Sequence, residues 1–248
     1  MQQNELEHYL NDLLDVSQFQ DYCPNGLQIE GRITIQNIIS GVTASQALLQ
    51  GAIALQADAI MVHHGYFWRG EDPRLLGMKR RRVAMLIEHD INLYAYHLPL
   101  DAHFELGNNA QLGKKLSIVE DGRFGEQSLA MHGHFAEPAS LAELDTTLYR
   151  VLGRKPMIIG NLSKKIQRIA WCTGAAQNYF EAAIELGVDA FITGEISEQN
   201  VHAARESGTA YICAGHHATE RYGIQALGEH LAQKFGITHH FIDVDNPV

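Results

Sequence analysis

Histidine and carboxylate side chains recur at four points where an apolar run ends. "DAIMVHHG" closes on the adjacent pair His63 and His64. "INLYAYHLPLD" carries His97 and, four residues on, Asp101. "DAFITGE" ends in Glu195, and "AYICAGHHATE" carries His216, His217 and Glu220. Imidazoles and carboxylates aimed at one point make a site for a divalent cation. Nitrogen and oxygen donors suit Zn, Mn, Fe or Ni rather than copper(I) or an iron–sulfur cluster. His63, His64, Asp101, His216 and Glu220 make five protein ligands. One catalytic zinc usually takes about three, so five, with carboxylates able to bridge, suit two ions about 3.5–4 Å apart. His97 is then a sixth ligand, a partner of a ligand, or a proton shuttle, and Glu195 is placed to accept a proton from metal-bound water. His216 and Glu220 share a face if a helix starts there, with His217 pointing elsewhere. Pro99 makes the His97–Asp101 stretch a turn rather than a helix interior. Cys213, inside the run "YICA", reads as a buried thiol and not a ligand. His132 and His134 lie on one strand face with no evident carboxylate partner.

Such donors meet only if strand ends lie side by side, and an internal repeat supplies the strands. "IQNIISGVTASQALLQGAIALQADAIMVHHG" from Ile35 and "IQRIAWCTGAAQNYFEAAIELGVDAFITGEI" from Ile166 align without a gap, with 10 identities in 31 positions. Each copy reads as a strand, a helix with apolar residues at 3.6 spacing, and a second strand, the βαβ unit of a parallel sheet. The alignment sets His63-His64 against Gly194-Glu195, and Asp58 against Asp189. A further strand-like run follows in each half. Ligands bind beyond the carboxyl ends of strands in open α/β sheets, which is where these donors fall. Adjacent strand residues point to opposite faces, so both histidines can face one site only if the chain turns, and Gly65 is expected to permit that turn.

The flanking segments are short. "NELEHYLNDLLD" reads as an amphipathic helix and "DYCPNGLQIEG" as a turn rich in breakers. Between the repeats "QSLAMHGHFAEP" alternates like a strand. Ser140 and Glu143 form a capping box, Gly153 ends that helix, and "KPMIIG" is a strand. The organisation expected is a first α/β repeat over 1–120, a small β/α insertion over 121–165, and a second repeat over 166–248. Tyr66, Phe67, Trp68 and Arg69 make an aromatic patch with one cation, suited to stacking a heterocyclic base, or a packed loop. Lys79 to Arg82 read as a solvated helix face.

Composition excludes several classes. Net charge is −10, with 46% hydrophobic and 19% charged residues. That is an ordinary globular balance with no basic field for non-specific nucleic-acid or membrane binding. Three widely spaced cysteines fit a reducing compartment. The polar start carries no secretory signal, and no run approaches a membrane span of ~18 apolar residues, so a cytoplasmic location is expected. P-loop, G-x-G-x-x-G and G-x-S-x-G signatures are absent.

Together "DYCPNGLQIEG", "GVTAS", "VHHGYFWRG", "HLPLDAH…GNNAQL", "DAFITGE" and "AGHHATERYG" resemble the NIF-three-like family, whose members are often labelled GTP cyclohydrolase type 2 homologues. The chain is similar to the short bacterial form throughout its length. The resemblance implies a duplicated α/β fold of two intertwined domains with mixed sheets. It implies a toroidal homohexamer with a dinuclear centre in each subunit, and by motif it carries the ligands to His63, His64, Asp101, His216 and Glu220, with His97 beside them. Expected cofactors are two divalent ions per subunit (Fe, Zn, Mn or Ni). The function implied is a dinuclear-metal-dependent hydrolase of a nucleotide or purine-like heterocycle, opening its ring with metal-bound hydroxide, and with His97 and Glu195 moving protons. The alternative is a metal-binding toroidal scaffold or carrier without catalysis, holding nucleic acid or a protein partner.

Overall fold

Each strand–helix–strand repeat lies in the middle of its own mixed sheet. The computed structural model describes residues 1–248. In chain order it begins with α1 (Gln3–Leu13), β1 (Gly26–Ile29), β2 (Asn37–Thr43), α2 (Gln46–Ala54) and β3 (Ala59–His64). Then come α3 (Gly77–Glu88), β4 (Asn92–Ala95) and α4 (Leu98–Ala102). The next stretch holds α5 (Asn108–Lys115), β5 (Val119–Phe124), β6 (Ala130–Ser140), α6 (Leu141–Leu152), β7 (Met157–Ile159) and β8 (Lys165–Trp171). It continues with α7 (Phe180–Glu185), β9 (Ala190–Thr193), α8 (Glu198–Ser207) and β10 (Ala210–Cys213), and the chain closes with α9 (His216–Phe235) and β11 (Thr238–Phe241).

The chain forms two units, Met1–Gly107 with Gly223–Asp245, and Asn108–Tyr222 with Asn246–Val248. The first has a five-stranded sheet in the order β1-β4-β3-β2-β11, parallel except at β1. Its strands are apolar on both faces, as parallel strands covered on both sides must be. Ile39, Ile60 and Val62 pack with Leu48, Leu49, Val83 and Leu86 on one face. Ile38, Ala59 and Met61 pack with Leu6, Leu10, Ile224, Leu227 and Leu231 on the other. The second unit has a six-stranded sheet in the order β5-β6-β8-β9-β10-β7, parallel only through β8, β9 and β10. Ile169, Trp171 and Ile192 pack with Leu141, Leu144 and Leu148, while Ala170, Phe191 and Tyr211 pack with Phe180 and Ala183.

The unit boundaries differ from those read in the sequence. Residues 121–165 are not a separate insertion, because β5, β6 and β7 are strands of the second sheet. Nor does 166–248 stay together. The apolar stripe Ile224, Leu227 and Leu231 of α9 packs in the first core, and β11 adds in parallel to β2. The local signals hold more closely. Ser140 and Glu143 cap α6 reciprocally, and Gly153 ends it at φ +71°. Residues Leu98–Ala102, expected as a turn, form a single helical turn, because Pro99 falls in its first turn, where no intrahelical N–H bond is lost.

Candidate metal centre

In the first unit three imidazoles converge. The ligating nitrogens of His63, His64 and His97 lie within 4.8 Å of one another, and the His63 and His64 ring centroids are 4.6 Å apart. β3 runs through both, with Thr43 and His64 still paired across the ladder, so the rings meet at the strand's end without a break after His63. Gly65 supplies space rather than a left-handed turn: it is not among the positive-φ glycines. A Cβ there would lie 2.2 Å from Gln28 Oε1 and 2.6 Å from Ala95 Cβ. His63 is fully buried. Its Nδ1 donates to the Tyr96 carbonyl at 2.9 Å, which makes Nε2 the lone-pair nitrogen, and that nitrogen lies 3.5 Å from Asp101 Oδ1. His64 Nδ1 faces the Thr43 hydroxyl at 3.2 Å.

His97 is held by a residue that the sequence reading took for turn chemistry alone. Its Nδ1 donates to Asp21 Oδ1 at 2.7 Å, and its backbone N–H donates to Asn25 Oδ1 at 2.7 Å. Asp21 Oδ2 accepts from the Leu98 N–H at 2.9 Å and from Asn25 Nδ2 at 2.8 Å. Burial works against the Asp21 charge, yet the bond and charge of His97, with Asn25 and the Leu98 N–H, outweigh it and bring the pKa down to about 2. A carboxylate on Nδ1 fixes the tautomer and turns Nε2 outward, as in carboxylate–histidine–metal arrangements. Cys23 lies within ligand distance of Asp21 and His97. Burial, then the Asp21 charge, pushes its thiol up to about 12, so no thiolate competes there.

The second unit presents its donors from the start of α9. His216 Nδ1 lies 2.7 Å from Glu195 Oε1 and Nε2 lies 3.1 Å from Glu220 Oε2. Burial disfavours charge on this ring, but Glu220 and then Glu195 overcome it and raise the pKa to about 9. Positive charge is therefore favoured between two carboxylates. The place of Glu220 depends on Gly174, at φ +69°, where a Cβ would lie 2.1 Å from Glu220 Oε1. Gly174 is pinned from both sides. Its N–H donates to Thr219 Oγ1 at 3.1 Å, and its carbonyl accepts from the Gly194 N–H at 2.8 Å and from Thr193 Oγ1 at 3.1 Å. Neither Gly174 nor the two threonines stood out in the sequence.

The remaining candidates separate cleanly. Cys213 Sγ donates to the Gly194 carbonyl at 3.1 Å, and burial raises its pKa. His134 does have a carboxylate partner: Asp121, at the register shift of β5, meets Nδ1 at 2.8 Å. A bulge re-aims a side chain in this way. Lys79 pairs with Glu71 at 2.9 Å. The donor set fits a hard or borderline divalent cation. His63, His97 and His216 each have Nδ1 on an oxygen acceptor, with Asp101 beside the Nε2 of His63 and Glu220 beside that of His216, a nitrogen and oxygen set that such a cation would take.

The sequence matches the Duf34/NIF3 (NGG1p interacting factor 3) family over residues 1–247. A Yersinia pestis protein named GTP cyclohydrolase 1 type 2 homolog is 55% identical over 248 residues, 100% of both chains. A Pseudomonas aeruginosa protein of the same name is 53% identical over 94% of each. Among solved structures, protein ybgI, of unknown function, has a TM-score of 0.96 at 50% identity over 100% of both chains. A Thermus thermophilus protein has a TM-score of 0.90 at 32% identity, again over 100% of both. The match runs the length of the chain and includes both repeats and every candidate donor: this chain belongs to the DUF34/NIF3 family.

Proposed function

We propose that this chain is a dinuclear-metal-dependent hydrolase acting on a nucleotide or purine-like heterocycle. The observation that carries the metal reading is the shared posture of His63, His97 and His216, each held through Nδ1 by a carbonyl or carboxylate oxygen. In this reading His63, His64, Asp101, His216 and Glu220 would hold two divalent ions. A bound ion supplies Lewis acidity and lowers the pKa of water from about 15.7 towards 7. Glu220, buried beside His216, would supply carboxylate oxygen donors to the ions, and the imidazoles their nitrogen donors. His97, oriented by Asp21, exchanges a proton at Nε2. Glu195, expected to take a proton itself, is engaged with His216 Nδ1 and acts as a positioning residue. The nucleotide assignment is supported by the name carried by the relatives, GTP cyclohydrolase 1 type 2 homolog, and the working form is taken to be a homohexameric ring.

Elemental analysis after reconstitution with Mn, Zn or Fe tests the centre. Two ions per chain are expected, with E220Q losing both and H63A chiefly one. A wild-type ratio of one or below with every metal, or an E220Q variant that keeps both ions, overturns it. Turnover across a nucleotide panel tests the chemistry. Full metal occupancy with no turnover would leave a scaffold or carrier. Sedimentation as a monomer at micromolar concentration and neutral pH would count against the ring.

A further inference from the structure

Of the aromatic run Tyr66-Phe67-Trp68, the core absorbs two residues and leaves one. Tyr66 is buried, and its hydroxyl donates to the Ala44 carbonyl at 2.8 Å. Phe67 packs against the apolar cluster of β2 and β3, with the Lys79 ammonium 5.0 Å from its ring centroid. Its backbone sits at φ +66°, a conformation that bulky side chains rarely adopt and that concentrates at functional sites. The consequence falls on Trp68. The indole meets His97 edge to face, centroids 5.0 Å apart at 87°, and lies 6.0 Å from His64. Arg69 secures the far side of the turn, with its N–H on the Tyr22 carbonyl at 2.6 Å and its guanidinium on the Asp21 carbonyl at 2.8 Å. Trp68 is half-buried, and no protein group accepts from its Nε1. Indoles in packed positions usually match that N–H. A strained turn therefore holds a large π surface and an open donor beside two candidate metal ligands.

The geometry points to Trp68 as the stacking wall for the planar ring of a purine-type ligand, with Nε1 donating to a ring nitrogen or carbonyl. This rests on the nucleotide reading above and names the group that would recognise the base. Stacking draws on the π face and not on charge, which suits a chain of net charge −10.

The test is calorimetric titration of metal-reconstituted protein with guanosine, ribose 5-phosphate and inorganic triphosphate, comparing wild type, W68L and W68F. W68L should weaken guanosine binding on the order of tenfold, within the range for one base–aromatic stack. W68F should restore most of it, and triphosphate binding should not change. Trp171, the other tryptophan, is 1% exposed, so guanosine should quench emission in wild type and not in W68L. Equal guanosine affinity in wild type and W68L overturns the assignment. So does failure of guanosine to bind wild type, tighter binding of ribose 5-phosphate than of guanosine, or an equal loss for triphosphate. If W68L does not fold, guanosine quenching of wild-type emission and the W68F affinity decide. Stacking without turnover defeats the hydrolase reading and keeps this one. Nucleotide turnover indifferent to W68L does the reverse.

Discussion

The two repeats share a scaffold and part company at the strand ends. In the first, Asp58 Oδ2 accepts from the N–H groups of Gln36 and Asn37 at 2.8 and 2.9 Å. In the second, Asp189 Oδ2 accepts from those of Gln167 and Arg168 at 3.0 and 2.9 Å. The registers coincide as well: Ile38 pairs with Ala59 as Ile169 pairs with Ala190. Beyond that point β2 reaches Thr43, whose hydroxyl faces His64, whereas β8 stops at Trp171, and the residue aligned with Thr43 is Gly174. The first repeat thus presents imidazoles from the strand itself. The second replaces the histidine pair by Gly194 and Glu195 and takes its donors from the start of α9. Matching the strand registers gives His97 the place that Gly215, not His216, holds in the second repeat, so His97 and His216 are not equivalent positions. The duplicated scaffold is alike at its clamps and differs in which element presents the histidine and carboxylate side chains.

The sharpest way to break this contrast is to install the first repeat's residue in the second. Gly174→Thr combines a β-branched side chain at φ +69° with a Cβ 2.1 Å from Glu220 Oε1. It should cost about 3 kcal/mol or more in stability and, on the proposed metal reading, lower the metal content. Thr43→Gly, at an exposed strand end, should cost about 1 kcal/mol. Urea denaturation and metal content of both variants provide the comparison. Equal effects would mean that Gly174 is not reserved for the carboxylate.

Next in size are the clamps. Asp58→Ala and Asp189→Ala each leave two backbone N–H groups without their acceptor and should each cost about 2–3 kcal/mol. The values should agree within about 1 kcal/mol, because the additional Arg32–Asp58 pair is 41% exposed on the arginine side and worth little. A large inequality in the denaturation midpoints of metal-free protein would show that one repeat bears the fold. Smaller again are the imidazole holders. Glu195→Gln should lower metal affinity about 10–100-fold, and Thr43→Val, which removes one longer contact to His64, should lower it less. Chelator competition measures both.

What could be read from the sequence was local or periodic. The βαβ repeats, the α6 caps and the donor types depend on neighbours a few residues apart. What could not be read depends on distant approach. Asp21 looks like a turn residue until His97, 76 positions on, donates to it. Gly65 looks like a hinge until Gln28 and Ala95 are found where its Cβ would be. Asp121 reaches His134 only through a bulge. The return of β11 to the first sheet has no periodic signature, because four residues of "THHF" do not say which strand they will join.

That fourth neighbour offers the smallest and most local test. The repeated strand β2 is flanked on its outer side by parallel β11, while its counterpart β8 is flanked by antiparallel β6. The difference introduces a buried Ser40, whose hydroxyl pairs with His239 Nε2 at 2.7 Å, under Gly228, where a Cβ would lie 2.0 Å from that nitrogen. Burial, then the neighbouring His240, lowers the His239 pKa from 6.5 to about 4. A histidine depressed in the folded state binds its proton more readily when unfolded. Its contribution is therefore complete above pH 6.5, declines as the pH falls towards 4, and changes no further below that. His239→Gln should remove this slope. The measurement is the difference in denaturation midpoint between wild type and variant, both stripped of metal, across that window. Wild type should lose its advantage on acidification by a few degrees in Tm, since about 1 kcal/mol corresponds to roughly 2–4 °C at this chain length. A difference that stays constant from neutral pH to pH 4, or grows on acidification, would show that β11 docks on β2 without a titrating contact and that the outer flanks of the two repeats respond alike to acid.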